Sequence, residues 1–143
     1  METEFSKHLG YYIQELSRKM SIILNNRLQE TGLTFSQFRA INCLWKKGAL
    51  TQKEIHEIIF VQPSTLTGII DILEKKGFVV RRVDENDARI KRIDLTEEGK
   101  AIQDRAWSIL EGFEEEFENT LEVEERFLML KWLKSLNKKI DEI

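Results

Sequence analysis

Between Phe5 and Leu28, apolar residues fall at Phe5, Leu9, Tyr12, Ile13, Leu16, Met20, Ile23, Leu24 and Leu28. This three-to-four spacing predicts one long amphipathic helix, with Gly32 supplying its C-terminal stop. Thr34-Phe35-Ser36-Gln37 reads as a capping box that opens a second helix, in which Phe38, Ile41, Leu44 and Trp45 form the inward stripe. Lys46 and Lys47 complement the end of its dipole and Gly48 terminates it. A second capping box, Thr51-Gln52-Lys53-Glu54, opens a short third helix with Ile55, Ile58 and Ile59 inward. Pro63 suits the first position of a fourth helix, where its missing N–H costs nothing. That helix runs to about Lys76 and buries Leu66, Ile69, Ile70 and Leu73.

The pattern then changes period. Val79-Val80 and Ile93-Asp94-Leu95 are short β-branched runs around a polar tip, Asp84-Glu85-Asn86-Asp87-Ala88, which predicts a hairpin. Thr96, followed by Glu97 and Glu98, starts a fifth helix through Ile102, Ala106, Ile109, Leu110, Phe113 and Phe117. A break near Thr120 separates it from a last helix bearing Phe127, Leu130, Leu133, Leu136 and Ile140. The predicted order is ααααββαα, a mainly α fold with a small β-hairpin. Residues 34–96 form a winged helix-turn-helix lobe within a single domain, 1–143. The outer segments, 1–31 and 100–143, are amphipathic and too long for a small lobe to cover. They would expose Phe5, Tyr12, Trp107, Phe113, Phe117, Phe127 and Trp132, an apolar surface larger than soluble monomers usually tolerate, so a homodimer paired through both termini is expected.

The charge distribution sharpens this picture. The 143 residues carry a net charge of −3, which by itself argues against an anionic partner. Between Lys75 and Arg92, however, seven cations stand against three acids, and between Glu111 and Glu125 eight acids stand with no cation. The basic stretch is a local footprint for phosphate, and the acidic one reads as a solvated helix face and turn. One cysteine excludes an intramolecular disulfide, and two isolated histidines, His8 and His56, supply no metal set. No Ser/His/Asp arrangement or phosphate-binding glycine loop is present, so neither an enzyme nor a cofactor is expected. The start, METEFSKH, is no signal peptide, and no apolar run approaches the roughly 20 residues needed to span a bilayer. A cytoplasmic protein with no membrane partner is the expectation.

On the exposed face of the fourth helix lie Ser64, Thr65, Gly68, Asp71, Ile72 and Lys75. A helix fits the major groove of double-stranded DNA, with its N-terminal half on the base edges. Gln62 can pair with adenine, and Ser64 and Thr65 can meet either a base or a thymine methyl. Thr67, with Thr51, Gln52 and Lys53 at the start of the third helix, suits phosphates. Asp87 stands two residues before Arg89, a spacing that lets the carboxylate hold the guanidinium extended for a narrow minor groove. Arg82, Lys91 and Arg92 are candidate backbone contacts. The alternatives are a merely capped and solvated helix with a surface salt bridge, or a winged-helix module whose basic hairpin docks an acidic protein.

The stretch PSTLTGIIDILEKKGFVVRRVDENDARIKRIDLTEEGK resembles the MarR family of transcriptional regulators. The likeness rests on Ser64-x-x-Thr67, Asp71-x-Leu73-Glu74-x-x-Gly77, Arg82, Asp87-x-Arg89 and Leu95-Thr96-x-x-Gly99, in register over about 36 residues. The resemblance implies a triangular homodimer with interlocked terminal helices, whose two lobes reach successive major grooves of a near-palindromic operator. It implies a repressor released by a small, often aromatic, effector or by an oxidant. It also assigns Arg89 as the minor-groove probe and Asp87 as its support. Where members commonly carry arginine after the Thr67 position this chain has Gly68, and Ile72 takes a place that is often basic. The wing is therefore expected to supply an unusually large share of binding. Tyr11, Tyr12, Phe38 and Trp45 are candidates for an effector pocket, or plain core. Cys43 reads as a small buried filler, since cysteine sensors of the family are usually near the start of the first helix.

Overall fold

The computed structural model describes residues 4–143; residues 1–3, the first of the predicted N-terminal dimerisation segment, lie outside the described residues. The chain divides into two compact units, residues 1–109 and 110–143.

In the first unit, a 3-10 turn over Glu4–Lys7 precedes α1 (Leu9–Leu28). The single long helix expected from Phe5 onward is interrupted because His8, the N-cap, is extended at φ −101°, ψ 133°. An N-cap must leave helical geometry, and a one-residue break preserves the Phe5-to-Leu9 spacing, so periodicity does not register it. Gly32 closes the following 3-10 turn at φ 80°. Then come α2 (Phe35–Lys47), β1 (Leu50–Thr51), α3 (Gln52–Ile58) and α4 (Pro63–Lys75). Both predicted capping boxes are formed. Thr34 Oγ accepts from the Gln37 N–H at 3.2 Å, and Thr51 Oγ accepts from the Glu54 N–H at 3.1 Å.

The hairpin is longer than its β-branched runs: β2 is Val79–Val83 and β3 is Lys91–Leu95, so Arg81, Arg82, Lys91 and Arg92 lie in the ladder. The sheet also has a third strand, in the order β1-β3-β2, with Leu50 opposite Ile93 and Thr51 opposite Arg92. Two residues are too few to show alternation, and β1 was therefore invisible to pattern reading. The core of this unit is built from Leu28, Ile41, Leu44, Ile55, Leu66, Ile70, Leu73, Val79 and Ile93, all essentially inaccessible. One predicted inward residue, Ile58, is exposed. The backbone leaves the helix at Ile59 (φ −110°, ψ 138°), so strand-like alternation takes over: Ile59 turns in, while Ile58 and Phe60 turn out.

The predicted fifth helix is α5 (Glu97–Ala101) and α6 (Gln103–Glu118), parted at Ile102 (φ −87°, ψ −5°). Thr96 caps α5 by accepting from the Gly99 N–H at 3.0 Å. Trp45 Nε1 donates to the Gly99 carbonyl at 2.9 Å and so ties α2 to α5. Of the aromatic groups expected to be exposed, Phe5 and Tyr12 are, at 71% and 53%, whereas Trp107 is half-buried because it packs edge-on to Phe38 at 5.4 Å.

In the second unit, Phe113 is buried and stacks on a half-buried Phe117 at 6.0 Å, contrary to the expected exposure. Arg126 bridges the turn by donating to the Leu121 carbonyl at 3.1 Å and to Asn119 Oδ1 at 3.3 Å. The last helix, α7 (Val123–Lys139), buries no residue, and Phe127 and Trp132 are 70% and 56% exposed. No helix among the described residues is long and apolar enough to cross a membrane.

Gly99 carries one sharp steric constraint: a Cβ there would lie 2.1 Å from the Phe78 carbonyl oxygen. That neighbour is backbone at the root of the wing and has little freedom to move. Gly99→Ala is expected to destabilise the chain by roughly 1–3 kcal/mol, read as a lowered urea midpoint; an unchanged midpoint would refute the constraint.

Candidate nucleic-acid interface

Four residues seat α4. Leu66, Ile69, Ile70 and Leu73 are buried, which leaves Ser64, Thr65, Thr67, Asp71, Ile72 and Lys75 on the open face. Gln62 is the N-cap but makes no side-chain cap hydrogen bond, so its amide is available. Gly68 meets nothing within 4 Å of an added Cβ, so packing leaves the site open to a side chain. At the start of α3, Lys53 is exposed, while the Thr51 hydroxyl is occupied by the capping box. Thr67 is less free than its exposure suggests: its Oγ accepts from Gln52 Nε2 at 2.7 Å and donates to the Pro63 carbonyl at 3.1 Å.

The wing separates its cations by the partners each one finds. Arg89 Nε and Nη2 donate to the two carboxylate oxygens of Asp87, both at 3.1 Å, and the Arg89 N–H also donates to Asp87 at 3.0 Å. The guanidinium is thus held as a fork yet stays 90% exposed. Arg82 is paired loosely with Asp94 at 3.9 Å. Arg92 is engaged on two sides, Nε to Asp84 at 2.5 Å and Nη1 to Glu54 at 3.3 Å. Lys53, Lys75 and Lys91 have no carboxylate partner among the described residues.

Sequence reasoning missed a second clamp. Arg81 on β2 donates to Asp71 at 2.7 Å and to Glu74 at 2.9 Å, and its N–H donates to Glu74 at 3.2 Å. Both carboxylates lie on α4, so the wing and α4 are fastened together. The signal was present in the Asp71-x-Leu73-Glu74 helix end, whose two acids lie three residues apart on one face. The carboxylates of the wing respond to these contacts. Arg92, and after it the Asn86 N–H, hold the Asp84 carboxyl below the usual aspartate range; Arg89 does the same for Asp87 through its side chain and then its N–H. Glu54 is held low by the Thr51 N–H and hydroxyl first and by Arg92 after them.

A winged helix-turn-helix with an arginine fork at the wing tip is thus on hand, and known proteins resolve its lineage. A family model described as the MarR family matches residues 33–91. The HTH-type transcriptional regulator SarZ of Staphylococcus epidermidis is 31% identical over 140 residues, covering 93% of this chain and 95% of that protein. The chain belongs to the MarR family. As a member it is a DNA-binding regulator of transcription and not an enzyme. The organic hydroperoxide resistance transcriptional regulator of Bacillus subtilis is 29% identical over 114 residues, 76% of this chain and 78% of that one. Among solved structures, wild-type MarR from E. coli is 26% identical with a TM-score of 0.76, covering 90% of this chain and 96% of MarR.

The candidate effector residues of this MarR-family chain fall into two pairs. Phe38 and Trp45 meet edge-on at 5.7 Å, and Tyr11 and Tyr12 meet edge-on at 5.3 Å on the exposed part of α1. No ring contact joins the pairs among the described residues. One turn after Phe38, Asn42 has a buried Oδ1 with no hydrogen-bond partner. Cys43 is buried, its thiol is pushed up by burial, and it donates to the Arg39 carbonyl at 3.5 Å.

Depressed carboxyls in the wing make a checkable statement about pH. Asp84 should titrate in the folded chain below the ordinary value of about 3.9, with Arg92→Gln moving its midpoint up toward that value. Because the folded-state pKa is lowered, the contribution of the pair is present above the unfolded-state value and is lost as pH falls through the folded one. Carboxyl NMR titration reads the midpoint, and a value at or above that of free aspartate in the parent chain would overturn the assignment.

Proposed function

We propose that this chain is a cytoplasmic, homodimeric, sequence-specific repressor that binds a near-palindromic operator and is released by a small effector. The observation that carries the reading is the wing tip, where Asp87 holds Arg89 as an exposed, ordered fork. A guanidinium already ordered loses less freedom on entering a narrow minor groove, where the potential is most negative. Residues 34–96 form the reading lobe. Gln62, Ser64 and Thr65 meet base edges, and Lys53, Lys75, Arg82 and Lys91 meet phosphates, with the N-terminal end of α3 at Thr51 beside them. Thr67 and Arg92 lie on the same surface but bond to protein groups.

Segments 1–31 and 100–143 pair two copies. Support comes from Phe5, Leu9 and Tyr12 on one side and from Val123, Phe127, Trp132 and Ile140 on the other, all more than half exposed in the single chain. The effector reading rests on Tyr11, Tyr12, Phe38 and Trp45, with the unpartnered Asn42 oxygen as an acceptor for a ligand donor. Organic hydroperoxide resistance is named for the Bacillus subtilis relative. Here the buried Cys43 with its raised pKa disfavours thiol oxidation, and a small molecule fits better.

Arg89→Ala should weaken binding to a duplex selected by the parent chain by roughly 1–3 kcal/mol and leave the dimer intact. Its cost should exceed that of Ser64→Ala or Thr65→Ala in the same anisotropy titration. Equal affinity would remove Arg89 from the interface, and binding that ignores salt and prefers an acidic protein would favour the protein-docking alternative. Light scattering should give twice the chain mass, and Trp132→Glu should shift the protein toward monomer with loss of DNA binding. A monomeric parent chain would overturn the dimer.

A further inference from the structure

The proposed contacts come from three elements: the start of α3, the open face of α4, and the wing. Two series of side-chain hydrogen bonds, joined through the Thr51–Gln52 backbone, run through them. At the wing tip, Asp84 Oδ1 accepts from the backbone N–H groups of Asn86 at 2.8 Å and Asp87 at 3.1 Å. Asp84 Oδ2 accepts from Arg92 Nε at 2.5 Å. Arg92 Nη1 donates to Glu54 Oε1 at 3.3 Å, and the same oxygen accepts the Thr51 N–H, also at 3.3 Å. One residue on, Gln52 donates to the Thr67 hydroxyl, which donates in turn to Pro63 in the first turn of α4.

We propose that Arg92 is a positioning residue for DNA binding: it holds the wing in register with the starts of α3 and α4 and does not itself meet phosphate. The proposal rests on the DNA-binding reading above. Three observations favour it over a direct contact. First, the Arg92 side chain is 37% exposed, against 90% for Arg89 and 66% for Arg82. Second, Asp84 is only 12% exposed, so the stronger of the two pairs is sheltered from water and held between the strands of the wing. Third, one guanidinium between two carboxylates carries a local charge of −1, which repels a phosphate unless a carboxylate is displaced. Register matters because a duplex is stiff and the three elements must reach it together. A wing free to swing would have to be ordered during binding, and that cost would appear as lost affinity.

The two roles predict opposite signs for one substitution. If Arg92 touched phosphate, Asp84→Asn would free it, remove a nearby negative charge and tighten binding. If Arg92 positions the wing, Asp84→Asn loosens the wing and weakens binding although the charge change favours DNA. The experiment titrates the full-length chain and its variants against a labelled duplex that the parent chain has selected from a random-sequence library, at several salt concentrations. Asp84→Asn and Arg92→Gln should each weaken binding roughly tenfold, and the double variant should be no worse than either single one. The slope of log K against log salt should not change, since no phosphate contact is lost. Arg92→Lys should behave like Arg92→Gln, because a single nitrogen cannot occupy both carboxylate positions. Glu54→Gln keeps an oxygen that accepts the Thr51 N–H and removes only the charge facing Arg92; it should also weaken binding, which guards against a misfolded wing in the other variants. Unchanged or tighter binding by Asp84→Asn, additive losses, or a slope reduced by about one per subunit in Arg92→Gln overturns the positioning role and leaves the DNA-binding reading intact. A parent chain with no salt-sensitive duplex binding overturns both.

Discussion

Thr51 serves two elements at once, and the arrangement of the surface proposed to meet DNA depends on it. Its backbone, at φ −73° and ψ 158°, is extended, which suits both the last residue of a strand and the N-cap of a helix. As a strand residue it lies opposite Arg92 in the ladder, and as a cap it accepts the Glu54 N–H. The next helix therefore begins where the wing is fastened. Leu50 and Ile93, paired one step along, are both buried and fix the side of the sheet that faces the core. A register slip by one residue would turn Ile93 outward and Arg92 inward, so the apolar core enforces the polar arrangement.

Formal charge and available charge differ in this protein. The basic stretch from Lys75 to Arg92 stands out in a chain of net charge −3, but all four of its guanidinium groups already have carboxylate partners. Those partners do different work. Asp87 leaves Arg89 exposed, whereas Asp71 and Glu74 draw Arg81 onto α4, and Asp84 and Glu54 draw Arg92 back toward α3. The wing is thereby clamped at two points, while the Arg89 fork stays exposed. Gly68 leaves the middle of α4 without a cation although the space beside it is open, so in the proposed interface the cations stand mainly on the wing.

Much of this was legible in the order of residues. Thr34, Thr51 and Thr96 announced their helices because capping is a contact between near neighbours, and the inward stripes of α2 and α4 followed from a period of 3.6. The Asp87–Arg89 fork was legible for the same reason, its two residues being only two positions apart. Ile58 was misread because the helix ends there and the period changes from 3.6 to 2 within one residue. Trp107 and Phe113 were expected to be exposed because periodicity marks which face is apolar and does not say what will cover it.

The sequence by itself determined the capped starts at Thr34, Thr51 and Thr96, the buried stripes of α2 and α4, the hairpin and the family, since each depends on residues within a few positions of one another or on a motif in register. Tertiary structure alone decided which cations remain available. Arg82, Lys91 and Arg92 are equivalent as letters in one basic strand pair, but Glu54 reaches Arg92 across 38 positions and Asp84 across the hairpin, while Lys91 is left without a partner among the described residues. Pairing between charges depends on distance in space, and chain folding sets that distance through the buried register of Leu50 against Ile93.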